Sequence, residues 1–269
     1  MKKTLLYALF GSFVIYWALL HLSNTDPDAT FSTIFSSSYI VVALLGGLFG
    51  LKKAQYWGGF KSLLGRSLGF LSLGLVFTTL GSLTLTFFYY VLNKEPSYPS
   101  IAEVFYLSGI ISYIIGVFCL SRTIRSWSLL RGKGLIKKIL LIFVPLTMVG
   151  LTTSIFVSRY ATEGVPLSVL ITDYAYAFSQ AIYAFIAIAI LINSSKLFGG
   201  KLHKAVVILV VALIFQYAAD YNYSYQILLG TWHTAGYGEL LYLSAYTLIG
   251  LSILMFEVNA TKLTEGEAE

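Results

Sequence analysis

Long apolar runs recur along the chain and are separated by short polar segments. A run of about 20 apolar residues can cross the hydrocarbon core of a bilayer as a helix, whereas a membrane-spanning strand needs only about 10. The runs therefore predict eight membrane-spanning helices, near Thr4–His21, Phe31–Leu51, Ser67–Leu92, Ile101–Leu120, Ile136–Val157, Leu167–Ile192, Lys204–Ala219 and Leu240–Phe256. The second span is the least regular, because Ser36, Ser37 and Ser38 interrupt its outer half. The seventh is short before Asp220, and its continuation as an interfacial turn stays open. The predicted fold class is an all-α polytopic membrane protein.

Composition supports this prediction, because hydrophobic residues make up 57% of the chain and charged residues only 11%. A soluble domain carries about 25% charged residues. The single cysteine, Cys119, lies in an apolar run and leaves no partner for a disulfide or a CxxC site.

The positions of the basic residues predict the orientation of the helices. With the N-terminus inside, the outer segments carry only Lys94 and Arg159 of the 18 lysines and arginines. This bias places both termini in the cytoplasm and explains the basic charge by topology and contact with anionic lipid, so no nucleic-acid partner is expected. The first span resembles a signal peptide, but no A-x-A cleavage site follows it, so we expect it to be retained.

Two short segments at the outer surface resemble each other. Glu103-Val-Phe-Tyr-Leu-Ser108 opens the fourth span and Glu239-Leu-Leu-Tyr-Leu-Ser244 opens the eighth, 136 residues later. The similarity predicts a single membrane domain over residues 1–257 with two parallel four-helix repeats, 1–122 and 136–257, and a short cytoplasmic tail at 258–269. A simpler interpretation stays open, because an acidic residue also suits the N-terminus of a helix.

Ionisable groups inside a bilayer are costly and point to function. Asp173 lies about 9 Å inside the sixth span, and Tyr176 and Gln180 follow it on the same helix face. Polar residues of the outer half form one candidate ligand-binding set: Glu103, Tyr106, Asp173, Tyr176, Gln180, Gln216, Asp220, Tyr223, His233, Glu239 and Tyr242. Tyr221, Tyr223 and Tyr225 are assigned to an outer loop, as an aromatic lid over the acidic pocket or as an interfacial aromatic belt. Such a pocket suits an amphipathic or cationic small molecule.

Catalytic and cofactor signatures are absent from the sequence. No pair of membrane histidines suits a haem, no HExxH or His/Cys cluster suits zinc, and no nucleophile motif stands out, so an enzyme is not favoured and no cofactor is assigned. A hard cation held by Glu103, Asp173, Asp220 and Glu239 stays open.

The stretch Pro99-Ser-Ile-Ala-Glu-Val-Phe-Tyr106 resembles the "PS-x-AD-x-x-Y" element of a multi-helix membrane region found at the N-terminus of prokaryotic diguanylate cyclases, phosphodiesterases and histidine kinases. Asp220-Tyr-Asn-Tyr-Ser-Tyr225 and Gly238-Glu-Leu-Leu-Tyr-Leu resemble its closing element. Here Glu103 and Glu239 stand where the family has aspartate, and no output domain follows the eighth span. The resemblance implies a sensory unit in a prokaryotic inner membrane that signals through a separate cytoplasmic protein.

These observations favour a membrane-embedded sensor-like or ligand-binding module. The alternative is a secondary transporter or proton-coupled carrier that uses the membrane carboxylates, as the repeat also suggests. Transport predicts flux across a sealed membrane, and a sensor predicts binding without flux.

Overall fold

The computed structural model describes residues 1–123, 134–160, 164–194 and 202–256, and every regular element in these ranges is a helix. The α-helices are α1 (Lys2–Leu22), α2 (Thr30–Ser38), α3 (Val41–Tyr56), α4 (Leu63–Tyr90), α5 (Ile101–Thr123), α6 (Leu135–Tyr160), α7 (Leu167–Ser194), α8 (His203–Leu229) and α9 (Tyr237–Leu254). One 3₁₀ turn, Gly59–Lys61, lies between α3 and α4.

Eight membrane-length apolar helices confirm the predicted fold class. α2 and α3 together form one span, and each of the other seven α-helices provides one. The second span is interrupted directly after Ser38, and two of its serine hydroxyls, those of Ser37 and Ser38, donate to carbonyls of the preceding turn. Helices this long and this apolar require lipid as their solvent.

The prediction that the seventh span ends at Ala219 is wrong. α8 continues for ten further residues to Leu229 and ends at Gly230, whose φ of +66° is the left-handed cap that glycine adopts readily. Tyr221, Tyr223 and Tyr225 are therefore helical residues, and their assignment to an outer loop is wrong. Hydropathy falls after Ala219, but a helix satisfies its own backbone and polar side chains are tolerated where they face protein.

Six of the spans form a closed ring. Its order is α3, α4, α5, α7, α8, α9 and back to α3, with α1 packed outside against α9 and α3, and α6 packed outside against α7 and α8. Lys2 lies over the ring of Phe49, and the indole N–H of Trp57 donates to the carbonyl of Phe256 at 3.0 Å. The two ends of the described helical region therefore lie at the same end of the bundle, which we call the inner end.

The inner half of the ring is closely packed where α3 crosses α9. A Cβ atom added to Gly46 would lie 3.2 Å from Leu75 Cδ1 and 3.3 Å from Gly250 Cα, so neither helix can carry a larger residue there without moving. Tyr242 lies two turns before Gly250 in α9, about 12 Å nearer the outer end. The groups considered below lie on that outer side.

Several sequence predictions lie outside the described residues. They are the tail at 258–269, the side chain of Arg159 and six of the predicted inner basic residues: Arg125, Arg131, Lys133, Lys196, Lys201 and Lys262. The two parallel repeats stay a prediction.

Candidate functional site

Asp220 occupies the centre of a polar cluster between three helices. It lies on α8, nine residues before the helix ends at Leu229, which places it about 13 Å below that end. Tyr242 of α9 donates its hydroxyl to Asp220 Oδ1 at 2.7 Å. The side-chain amides of Gln180 on α7 and Gln216 on α8 donate to Oδ2 at 2.6 and 3.1 Å. The carboxylate thus joins α7, α8 and α9.

Gln216 is incompletely satisfied by this arrangement. Its side chain is 6% exposed and its amide nitrogen bonds Asp220, but its carbonyl oxygen Oε1 is buried without a hydrogen-bond partner in the described structure. A buried unsatisfied acceptor costs about 1–3 kcal/mol. It marks a place where a further donor would be favourable.

Tyrosines surround the Asp220 carboxylate. Those within electrostatic range are Tyr39, Tyr106, Tyr113, Tyr176, Tyr183, Tyr242 and Tyr246. The rings of Tyr242 and Tyr246 stack with centroids 5.9 Å apart, and Tyr246 stacks in turn on Tyr39 at 6.4 Å. The surroundings of the Asp220 carboxylate are therefore mainly aromatic.

Four of these side chains keep accessible surface although they lie deep in the bundle. Tyr106, Tyr176, Asp220 and Tyr242 are partly exposed, and they come from four different helices, α5, α7, α8 and α9. Tyr176 is in electrostatic range of both Tyr106 and Asp220, and Tyr242 bonds Asp220 directly. We call the region around Asp220 that these four partly exposed residues share the vestibule.

Asp173 belongs to a different contact. Its two carboxylate oxygens accept short hydrogen bonds from the hydroxyls of Tyr98 and Tyr160. Tyr98 lies in the segment between α4 and α5, and Tyr160 is the last residue of α6, so one carboxylate ties both to α7. Partial burial and the bond to Asp173 raise the pKa of the Tyr98 hydroxyl, so it stays a donor. We call these three residues the Asp173 latch.

Glu103 caps its own helix. Its Oε2 accepts from the backbone N–H of Ser100 at 2.9 Å and from the Ser100 hydroxyl at 2.6 Å, while Ser100 Oγ accepts from the backbone N–H of Ala102 at 3.1 Å. This reciprocal pattern is a capping box. The pattern supports the simpler interpretation, in which Glu103 is a helix cap. The charge of Glu103 still acts on Tyr106 and Tyr176.

Glu239 accepts hydrogen bonds both from the backbone near the start of its own helix and from a side chain of a neighbouring helix. Its Oε2 accepts from the backbone N–H of Ala235 at 2.8 Å and from the hydroxyl of Ser36 on α2 at 2.6 Å. The same N–H also contacts Ser36 Oγ at 3.0 Å. Glu239 is 7% exposed and fixes α2 to the start of α9.

Tyr223 and His233 lie further out. The Tyr223 ring packs edge-to-face on Trp232 with centroids 4.8 Å apart. His233 lines a shallow surface pocket of about 400 Å³ together with His21, and Asp220 is not part of that lining.

The structure brings together six of the eleven predicted site residues around Asp220, by direct bonds or in the vestibule wall. They are Tyr106, Tyr176, Gln180, Gln216, Asp220 and Tyr242. Glu103, Asp173 and Glu239 have partners of their own, and Tyr223 and His233 contact other groups. The sequence reasoning missed Ser36, Tyr98 and Tyr160 as carboxylate partners, because nothing in their local sequence distinguishes them from other interfacial hydroxyls.

Metal binding by a set of acidic side chains finds no support in the geometry. Within the described ranges, no three His, Cys, Asp or Glu side chains lie close enough to hold an ion together. The four carboxylates considered for a hard cation each bond separate partners instead.

Comparison with known proteins adds no relative. No protein-family model matches the chain, and neither a curated protein nor a solved structure does. The resemblance of the Pro99–Tyr106 stretch to a sensory membrane region stays a prediction.

Proposed function

We propose that this protein is a membrane-embedded, sensor-like ligand-binding module, and that the vestibule around Asp220 is its binding site. A small molecule would enter from the outer side and contact helices α5, α7, α8 and α9. To signal, the ligand must bind two arrangements of these helices with different affinity. A separate protein at the inner end would read the change.

The observation that carries this proposal is that Asp220 is partly accessible and that its described hydrogen-bond partners are all neutral. A buried carboxylate in a bilayer is expensive unless it is paired or fully hydrogen-bonded. Its three bonding partners in the described structure are two amides and a phenol, all neutral. The side chain nevertheless keeps accessible surface. A partly accessible carboxylate whose described partners are all neutral is typical of a binding site.

The inner half of the ring supports binding over transport. Below the vestibule, the buried hydroxyls of Ser72, Thr79, Thr247 and Ser252 each donate to a carbonyl of their own helix. Hydroxyls that bond their own helix are not offered to a ligand, and α3 and α9 are in close contact at the Gly46–Gly250 crossing. Secondary transport or proton-coupled exchange remains the alternative, and it requires this region to open.

Native mass spectrometry after gentle detergent removal tests the proposal. We expect a stoichiometric small-molecule adduct on the unmodified protein and its loss in Asp220→Asn. Asp28→Asn is the matched control, since Asp28 is an exposed carboxylate at the outer end. Retention of the adduct in Asp220→Asn would refute the assignment of the vestibule as its site.

A vesicle assay distinguishes the alternative. The molecule identified in the adduct is offered to sealed proteoliposomes at saturating concentration. We expect binding without uptake, and time-dependent uptake that Asp220→Asn abolishes would establish a carrier instead.

A further inference from the structure

We propose that the group held in the vestibule is a primary or secondary ammonium, with Asp220 as its counter-ion. The inference rests on the proposed function, because it names the chemical class that the same site would take. Three features of the described residues support it: the charge, the free acceptors and the aromatic walls.

The charge of the site selects a cation. Asp220 is the one carboxylate among the vestibule's four wall residues, and the donors that reach it carry no formal charge. A cationic ligand would neutralise it at a depth where little water competes. A neutral ligand would leave the cost of the buried charge in place, and an anion would increase it.

The free acceptors select a cation that carries N–H groups. A carboxylate oxygen can accept about two hydrogen bonds. Asp220 Oδ2 already accepts two, from Gln180 and Gln216, whereas Oδ1 accepts one, from Tyr242. Gln216 Oε1 is a further acceptor, and it has no partner in the described structure. Rotation of the amide would break its N–H bond to Asp220 Oδ2, so a ligand donor has to reach Oε1 where it lies.

Two other kinds of cation fit less well. A quaternary ammonium has no N–H to give to either acceptor. A metal ion requires several oxygen ligands at short distance, but the two groups that face Asp220 Oδ2 are amide nitrogens. A protonated amine carries two or three N–H donors for the acceptors and does not need several oxygen ligands at short distance.

The aromatic walls suit the rest of such a molecule. Tyr106 and Tyr176 keep accessible surface on the side of α5 and α7, and Tyr242, stacked on Tyr246, forms the wall on the side of α9. Aromatic faces attract cations within about 6 Å of the ring centre and also accommodate alkyl groups. The expected ligand is therefore an amine with a hydrocarbon body.

Isothermal titration of the full chain in neutral-lipid nanodiscs tests the inference with three probes of equal chain length: hexylammonium, hexyltrimethylammonium and hexanol. We expect hexylammonium to bind saturably and the other two to bind about tenfold more weakly or not at all. Asp220→Asn should lower hexylammonium affinity by about tenfold or more. The control Asp28→Asn should leave it unchanged.

Each other outcome has a definite meaning. Equal binding of hexanol and hexylammonium, or amine binding that Asp220→Asn does not change, overturns the ammonium assignment. Tighter binding of hexyltrimethylammonium, or competition by Na⁺ alone, reassigns the site to a quaternary or metal cation and also overturns it. If the amines fail but a co-purified adduct still depends on Asp220, the proposed function stands without this inference. If no adduct is found and no probe binds, both fall.

Discussion

Removal of one hydroxyl from the Asp173 latch should measurably destabilise the outer half of the protein. Tyr98 and Tyr160 both donate to Asp173, which is 5% exposed. In Tyr98→Phe or Tyr160→Phe, the buried carboxylate keeps its charge and loses one donor. We expect the free energy of unfolding to fall in both variants.

The magnitude follows from the exposure of each donor. A hydrogen bond to a charged group contributes about 1.5–3 kcal/mol. Tyr98 is 41% exposed, so water can replace part of its bond, and we expect its loss to lie near the lower limit. Tyr160 is more enclosed, and we expect a loss nearer the upper limit. The double variant should lose more than the sum, because the carboxylate is then left without either phenol.

Denaturant titration in mixed micelles measures these losses, with maleimide labelling of Cys119 as the signal. Cys119 is the single cysteine and is buried in α5, so it reacts only when the bundle opens. Tyr90→Phe is the control, because it removes the same hydroxyl from an exposed residue at the outer end of α4. If Tyr160→Phe unfolds like Tyr90→Phe, the latch makes no net contribution and the reasoning is refuted.

Two further changes test other parts of the structure. Gly46→Ala should lower the free energy of unfolding by about 1–3 kcal/mol through overpacking. Gly11→Ala should have little effect, because its added Cβ meets nothing within 4 Å. Equal effects of the two variants in the same titration would contradict the close crossing of α3 and α9. Ser100→Ala should lower the free energy of unfolding by about 1 kcal/mol, because it removes the cap of α5. Glu103→Ala should lower it by a similar amount and leave the adduct in the mass spectrum. Loss of the adduct in Glu103→Ala would return that residue to the binding site.

The sequence alone determined the class of the fold and the number of spans. Both depend on the length and apolarity of segments such as Leu63–Tyr90, and a bilayer allows such segments only one backbone solution. It did not determine the end of α8. From Asp220 to Leu229 the side chains are largely polar or aromatic. They remain helical because a helix satisfies its own backbone, and Tyr217, Tyr221 and Tyr225 contact one another along one face of it. Gly230 was the local signal for the true end.

The chemistry of the site divides in the same way. The sequence identified Asp173, Asp220 and Glu239 as costly groups, since a carboxylate in an apolar environment stands out wherever its partners lie. Only the tertiary structure decided those partners. Tyr98 lies 75 residues from Asp173 and Ser36 lies 203 residues from Glu239, so no local pattern links them. Hydrogen bonds extend about 3 Å, and which groups come that close depends on how the helices pack. That packing left Asp220 beside the vestibule, with neutral donors alone.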